Sequence, residues 1–352
     1  MRFVKACCWI GVVGLPALAA LAGGKDEKSG PGPFVLALWT VQRYGLQDAA
    51  DPRHDERTKA SLTAALGKGG TITNRAVTNK LMDAKAFQSL AGSDDLVQAS
   101  ELQAALGAAA PDARRRLRPT VAAHLDLLTT SFDRIDAAHL TAGEQLAEWI
   151  VANYQPGKTL PIIFVCTGNS RRSILGATMG NVAAAYWGLP EVRCYSGGTA
   201  PSAFNSRTVA TLKAIGIEIE PTGEEAARGA EGAPNPVYSV RWGETGKDAP
   251  LETIEFSKHY GDQHNPQSGF AALMVCSQAD AECPMVKGAA RRIPMPFLDP
   301  KAYDDGDYET IKYAERRDDL GRLMLAVMLK VRRQLEAEGK ITPPAVSAVA
   351  QR

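Results

Sequence analysis

One short stretch of this sequence combines a nucleophile, an anion clamp and a loop able to hold both: Cys166-Thr167-Gly168-Asn169-Ser170-Arg171-Arg172-Ser173. It follows a continuous apolar run at 161–165, the pattern of a strand buried on both faces, and opens a helical pattern at 174–187. A loop wrapped between strand and helix turns successive backbone N–H groups inward, and the helix N-terminus adds partial positive charge. Such a cradle binds a tetrahedral oxyanion and favours the thiolate of a cysteine at its base. Cys166 can then attack phosphorus or arsenic in line. Arg172, six residues on, offers a fork of donors to two equatorial oxygens. Ser173 can donate to the thiolate and steady it as a leaving group. Gly168 allows the tight turn, and the Asn169 side chain can brace the loop from within. Thr167, Ser170 and Arg171 complete the oxyanion-binding set. Arginines at a helix start are electrostatically misplaced unless an anion sits there.

The rest of the sequence narrows the classes open to such a site. A net charge of +1 lacks the basic face that nucleic acid or an anionic membrane would require. The histidines, His54, His124, His139, His259 and His264, are scattered and form no zinc pattern, so neither metal nor cofactor is expected. Arg2 and Lys5 precede an uncharged run at 6–21, which is short for a membrane span and ends in small residues. Residues 1–22 therefore read as a secretory signal peptide, and the chain as exported, to the periplasm, with no membrane association beyond that signal. Cys7 and Cys8 would leave with it. Cys166, Cys194, Cys276 and Cys283 remain. In an exported chain the default for an even count is structural disulfides, although a chain this long gains little from two of them.

The elements that must position the loop form an alternating series. Strands are expected at 161–165, 192–195, 271–275 and 292–296, and helices at 174–187 and 206–215. A long amphipathic helix is expected at 308–336, with Ile311, Leu320, Leu323, Leu325, Met328 and Val331 as its buried positions. That order implies an α/β domain: a four-stranded parallel sheet with helices on both faces, spanning 158–338. Residues 221–269 read as an irregular polar insertion in which 238–242 forms a short strand. A linker at 23–33 and a small all-helical region at 34–157 precede the domain, and a frayed tail at 339–352 follows. Two helix junctions, at 92–102 and 133–144, look like worn EF-hand loops with too few oxygen ligands for calcium. They are read as parts of a helical bundle. Arg291-Arg292 and Arg316-Arg317 read as solvated charges, Trp242 as packing, and Cys194 as a small buried hydrophobe.

With the loop, strand and helix in place, the stretch from 160 to 335 resembles the low-molecular-weight protein-tyrosine-phosphatase superfamily, including its thioredoxin-coupled arsenate reductase branch. The resemblance rests on Cys-x5-Arg-Ser after the first strand, on Ser196-Gly197-Gly198-Thr199 after the second, and on Asp299-Pro300 late in the chain. It implies that Asp299 is the general acid for the leaving group; on its own, an Asp-Pro presented by a loop is equally a turn. The reductase branch is suggested by Cys276-Ser277-Gln278-Ala279-Asp280-Ala281-Glu282-Cys283-Pro284, whose Cys-x6-Cys-Pro spacing resembles the redox pair of those enzymes. The implied relay runs from Cys166 to Cys276 to Cys283, with arsenate as substrate and a thioredoxin-like thiol reductant as partner. A phosphatase of the same superfamily would instead hydrolyse a phosphate ester through a Cys166 phosphoenzyme. Arg171 replaces a cysteine common inside the reductase loop. Ala177 stands where potassium-binding reductases carry a glutamate, so that ion is not expected.

Overall fold

The computed structural model describes residues 72–73, 88, 91, 95–97, 111–129, 132–230, 232–244, 250–282 and 285–342. The expected signal peptide, the linker, most of the tail, and Cys283 lie outside the described residues. The chain divides into two compact units, 1–46 with 56–105 and 47–55 with 106–352.

In the first unit, β1 (Ile72–Thr73) pairs antiparallel with β2 (Leu96–Val97). Asp95, just before β2, has φ +57°, the left-handed conformation that Asp adopts more readily than most residues. β2 lies within one of the two worn loops, and its pairing with β1 corrects the expectation of an all-helical segment. Two-residue strands carry too little periodicity to be read from sequence.

The second unit opens with α1 (Pro111–Arg115), α2 (Pro119–Thr129) and α3 (Ala137–Asn153). At the start of α3 the other worn loop is a helix cap, because Asp136 Oδ1 accepts from the His139 amide at 2.8 Å. Next come β3 (Leu160–Cys166), α4 (Arg172–Tyr186), β4 (Val192–Gly198) and α5 (Ser206–Lys213). β5 (Glu218–Glu225), β6 (Pro236–Arg241) and β7 (Glu252–Glu255) follow, then β8 (Phe270–Met274), α6 (Ser277–Glu282), β9 (Ala289–Pro294) and α7 (Glu309–Ala337). Both α2 and α3 pack against α7. The helices described from 111 onward are thus built into the unit that holds the parallel sheet, rather than ending at the expected boundary of 157.

The sheet is all parallel, in the order β4-β3-β8-β9, with helices around it. Its central strands β3 and β8 are apolar throughout and almost wholly buried, as strands covered on both faces must be. α4 and α7 pack against each other, and α4 lies on β3 and β4. Gly176 permits that approach: a Cβ there would run into the Phe164 ring. Leu320, Leu323, Leu325, Met328 and Val331 of α7 are buried, whereas Ile311 is 54% exposed. Tyr313 begins the buried stripe, and Ile311 stands two residues away, about 200° round the helix.

Residues 218–255 depart most from expectation. Instead of an irregular insertion they form a three-stranded antiparallel sheet, β5-β6-β7, registered Ile219↔Val240 and Ser239↔Ile254. In β5 only Ile219 is buried, so pairing with β6 holds the strand and the sequence shows no alternation. The segment that follows, from Phe256, runs beside the first sheet, with His259 bridging in parallel to Gly198.

Candidate active site

The Cys166–Ser173 loop is held from outside by its carbonyls. Thr199 N donates to Cys166 O at 3.0 Å and Ala200 N to Thr167 O at 2.9 Å. Gly168 O accepts from Ser202 N at 3.0 Å and Ser257 Oγ at 3.0 Å. Ser170 O accepts from Asn205 N at 3.3 Å and Thr208 Oγ1 at 3.1 Å. With the carbonyls turned outward, no described group accepts from the amides of Gly168 to Arg172. α4 also lacks a side-chain cap, so its own first amides are open. Backbone N–H groups are rarely left this way without a partner, and such an arrangement is what an anion-binding loop presents. Gly198 is required for it: a Cβ there would strike Thr167 O and Asn169 N.

Asn169 is the internal brace. It is fully buried with φ +41°, its Oδ1 accepts from Lys258 N at 2.8 Å, and its Nδ2 donates to Ser173 Oγ at 2.9 Å. Ser173 Oγ lies 3.0 Å from Cys166 Sγ. Because the serine oxygen already accepts from Asn169, its own hydrogen is free to point at the sulfur. A donor aimed at Cys166 can hydrogen-bond the sulfur as it attacks and as it leaves.

Arg172 and Asp299 meet across the loop. Arg172 Nη2 donates to Asp299 Oδ2 at 2.6 Å and Nη1 to Phe297 O at 3.0 Å. Arg172 Nε is buried and has no hydrogen-bond partner among the described residues. Asp299 also caps the 3₁₀ turn Pro300–Tyr303, where its Oδ1 accepts from Lys301 N at 3.0 Å. Its carboxylate is about one-third exposed, so it is open to solvent as well as to the clamp.

Not every residue in the expected oxyanion set faces inward. The Arg171 guanidinium is turned away: Nε donates to Tyr313 Oη at 2.7 Å and Nη2 pairs with Asp304 at 3.1 Å. Burial, then the Asp304 hydrogen bond, push Tyr313 up to about 12, so it stays a neutral donor. Arg171 therefore offers the loop its amide, while its side chain ties the loop to α7. Ser170 Oγ likewise donates outward, to Ala203 O at 2.5 Å.

Cys276 follows β8, whose register with β3 sets it opposite Thr167 rather than Cys166. Its Sγ is 3.5 Å from Thr167 Oγ1 and accepts from Ala279 N at 3.3 Å. Cys166, Cys194 and Cys276 are all free thiols. Cys194 faces α4, where burial pushes its thiol up to about 12 and leaves it unreactive. The residues that sequence reasoning passed over are the backing ones: Ser257, Lys258, Ser202, Tyr313 and Asp304. Isolated polar residues far along the chain carry no local signal of such a role.

Fold and site together define a class: a parallel α/β domain whose first strand delivers a cysteine into an oxyanion loop at a helix N-terminus. Residues 161–230 match the family model described as low molecular weight phosphotyrosine protein phosphatase. A search of curated proteins finds no match. The match covers about a fifth of the chain and supports a kinship of the α/β domain with the low-molecular-weight phosphatase superfamily, whose members are enzymes, either phosphatases or arsenate reductases. It takes in the loop, α4 and β4 but ends before Cys276 and Asp299, so it does not separate the two branches.

Proposed function

We propose that this chain is a thiol enzyme acting on a tetrahedral oxyanion, and that its reaction is arsenate reduction. The observation that carries the reading is a free thiol at the loop's own edge, Cys276 Sγ against Thr167 Oγ1. The unpaired Arg172 Nε and the open amides would hold three arsenate oxygens. Cys166 attacks arsenic and displaces one hydroxyl, which leaves as water with a proton from Asp299. The Cys276 thiolate then attacks Cys166 Sγ. The S–S bond forms, the S–As electron pair stays on arsenic, and arsenate is reduced to arsenite as two thiols become one disulfide. Cys283 exchanges onto Cys276 and frees Cys166, and an external dithiol reduces the last disulfide. Cys276 is fully buried and one register position from Cys166, so the relay requires the start of α6 to shift towards the loop.

A second reading is phosphate-monoester hydrolysis, favoured by Asp299 held beside the clamp where a leaving oxygen would take its proton. Cys166 would carry the phosphoryl group and water would remove it. The two readings share the first step and part at its resolution. The test is a single turnover: the reduced chain is mixed with arsenate without added reductant, and arsenite is measured. About one arsenite per chain from wild type and none from Cys276→Ser supports the reductase. No arsenite from wild type, with p-nitrophenyl phosphate hydrolysed by both, refutes it in favour of the phosphatase.

A further inference from the structure

A cavity of about 120 Å³ is lined in part by Phe297, whose carbonyl accepts from Arg172 of the catalytic loop. A single water needs about 10–15 Å³ of such space, so the cavity has room for a small oxyanion. Three arginines, Arg134, Arg316 and Arg322, line it with His139, against two carboxylates, Asp136 and Asp319. The carboxylates are already committed. Asp319 pairs with Arg316 at 3.0 Å and with Arg322 at 3.1 Å, and Asp136 pairs with His139 at 2.6 Å. Arg134 is exposed and has no acidic partner among the described residues. Arg316 Nε is buried without a hydrogen-bond partner. Burial, then the neighbouring Arg134 charge, pull the Arg322 guanidinium below the usual arginine value despite Asp319 and Asp318. An exposed arginine without a described partner, beside a buried donor left over on Arg316, is what an absent anion would explain.

The wall of the cavity is held by ring and hydrogen-bond contacts. The Phe297 ring stacks on His139 with centroids 3.9 Å apart, and the Arg316 guanidinium lies 5.6 Å from that ring. His139 Nε2 is 3.0 Å from Pro296 O, and Phe297 O accepts from Arg172. None of the lining residues belongs to the Cys166–Ser173 loop.

We propose that Arg134, Arg316 and Arg322 form a second binding site for a small tetrahedral oxyanion, distinct from the catalytic loop. Inorganic sulfate is the probe, since neither the hydrolytic nor the reductive chemistry consumes it. Its binding to the full chain is measured by titration calorimetry in wild type, Arg134→Gln and Arg172→Met. The expected result is a sulfate site that Arg134→Gln weakens by about tenfold, the worth of one charge-assisted contact, and that Arg172→Met leaves intact. Arg134 has no described partner to lose, so the Arg134→Gln variant should keep the wild-type melting temperature. Sulfate binding that Arg134→Gln does not alter, or no binding outside the site that Arg172→Met removes, overturns the proposal. Failure of the loop to bind sulfate would appear separately, as an Arg172→Met variant indistinguishable from wild type.

Discussion

Asn169→Asp isolates the hydrogen-bond chain that runs from the Lys258 amide to the nucleophile. The substitution keeps the size of the side chain and the oxygen that accepts from Lys258 N at 2.8 Å. It removes the Nδ2 hydrogen now given to Ser173 Oγ at 2.9 Å. Facing a carboxylate instead of an amide, the Ser173 hydroxyl turns its hydrogen to the aspartate, and Cys166 loses its donor. A hydrogen bond to a charged acceptor is worth about 1.5–3 kcal/mol, so the lost contact predicts a fall of roughly tenfold to 150-fold in kcat/KM. Repulsion between the new carboxylate and the bound oxyanion adds to that loss. Asn169→Ala acts differently. It strands the buried Lys258 N–H, at about 1–3 kcal/mol, and sets an alanine at φ +41°, at about 1–2 kcal/mol more. Urea unfolding should therefore show a larger loss of stability for Asn169→Ala, about 2–5 kcal/mol, with kcat/KM reduced in both variants. Asn169→Asp with wild-type kcat/KM would refute the chain of donors, and Asn169→Ala with an unchanged midpoint would refute the brace.

Three further outcomes follow from the same geometry. Cys276→Ser should leave hydrolysis of p-nitrophenyl phosphate within a few-fold of wild type, about 1 kcal/mol or less in barrier, while ending arsenate reduction; stopped-flow release of nitrophenolate and an arsenite assay check both. Tyr313→Phe removes the hydroxyl that accepts from Arg171 and donates to Asp304 at 2.8 Å, and should cost about 1–3 kcal/mol in urea unfolding together with a lower kcat from a loosened loop. Asp318 supplies a pH dependence. Burial acts to raise it, but hydrogen bonds from His124 and Arg317 prevail and hold it below the usual carboxylate value. Its stabilisation is thus present above about pH 4, the ordinary Asp range, and is lost as pH falls through the depressed folded value. Melting curves at pH 7 and pH 3 should show a smaller acid-induced drop for Asp318→Asn than for wild type.

Much of this was legible in the sequence because it is local. The run Leu160–Cys166, the turn at Gly168 and the helix after Arg172 are contiguous, and the strands that flank β3 are apolar enough to be read alone. Cys276 and Asp299 were singled out from short motifs through the family resemblance, and the fold sets Cys276 beside Thr167 and Asp299 beside Arg172. What escaped depends on long-range pairing. β5 reads as loop because six of its eight residues are exposed and its order comes from β6. Ser257 and Lys258 back the loop only because that second sheet returns the chain to Gly168 and Asn169. Charges misled for the same reason. Arg317 looked solvated, yet it is buried and donates to Thr211 O at 2.7 Å, and Arg171 was read as an oxyanion ligand although Tyr313, a residue of α7, claims it. Arg292, also read as solvated, pairs with Asp280.

The most direct test of the account is to map disulfides by mass spectrometry in the fully reduced chain, with and without arsenate. The relay predicts an arsenate-dependent Cys166–Cys276 or Cys276–Cys283 disulfide appearing with released arsenite. Thiols shown to be free beforehand that form no disulfide on adding arsenate would contradict it, and would leave Cys166 as the nucleophile of a phosphatase.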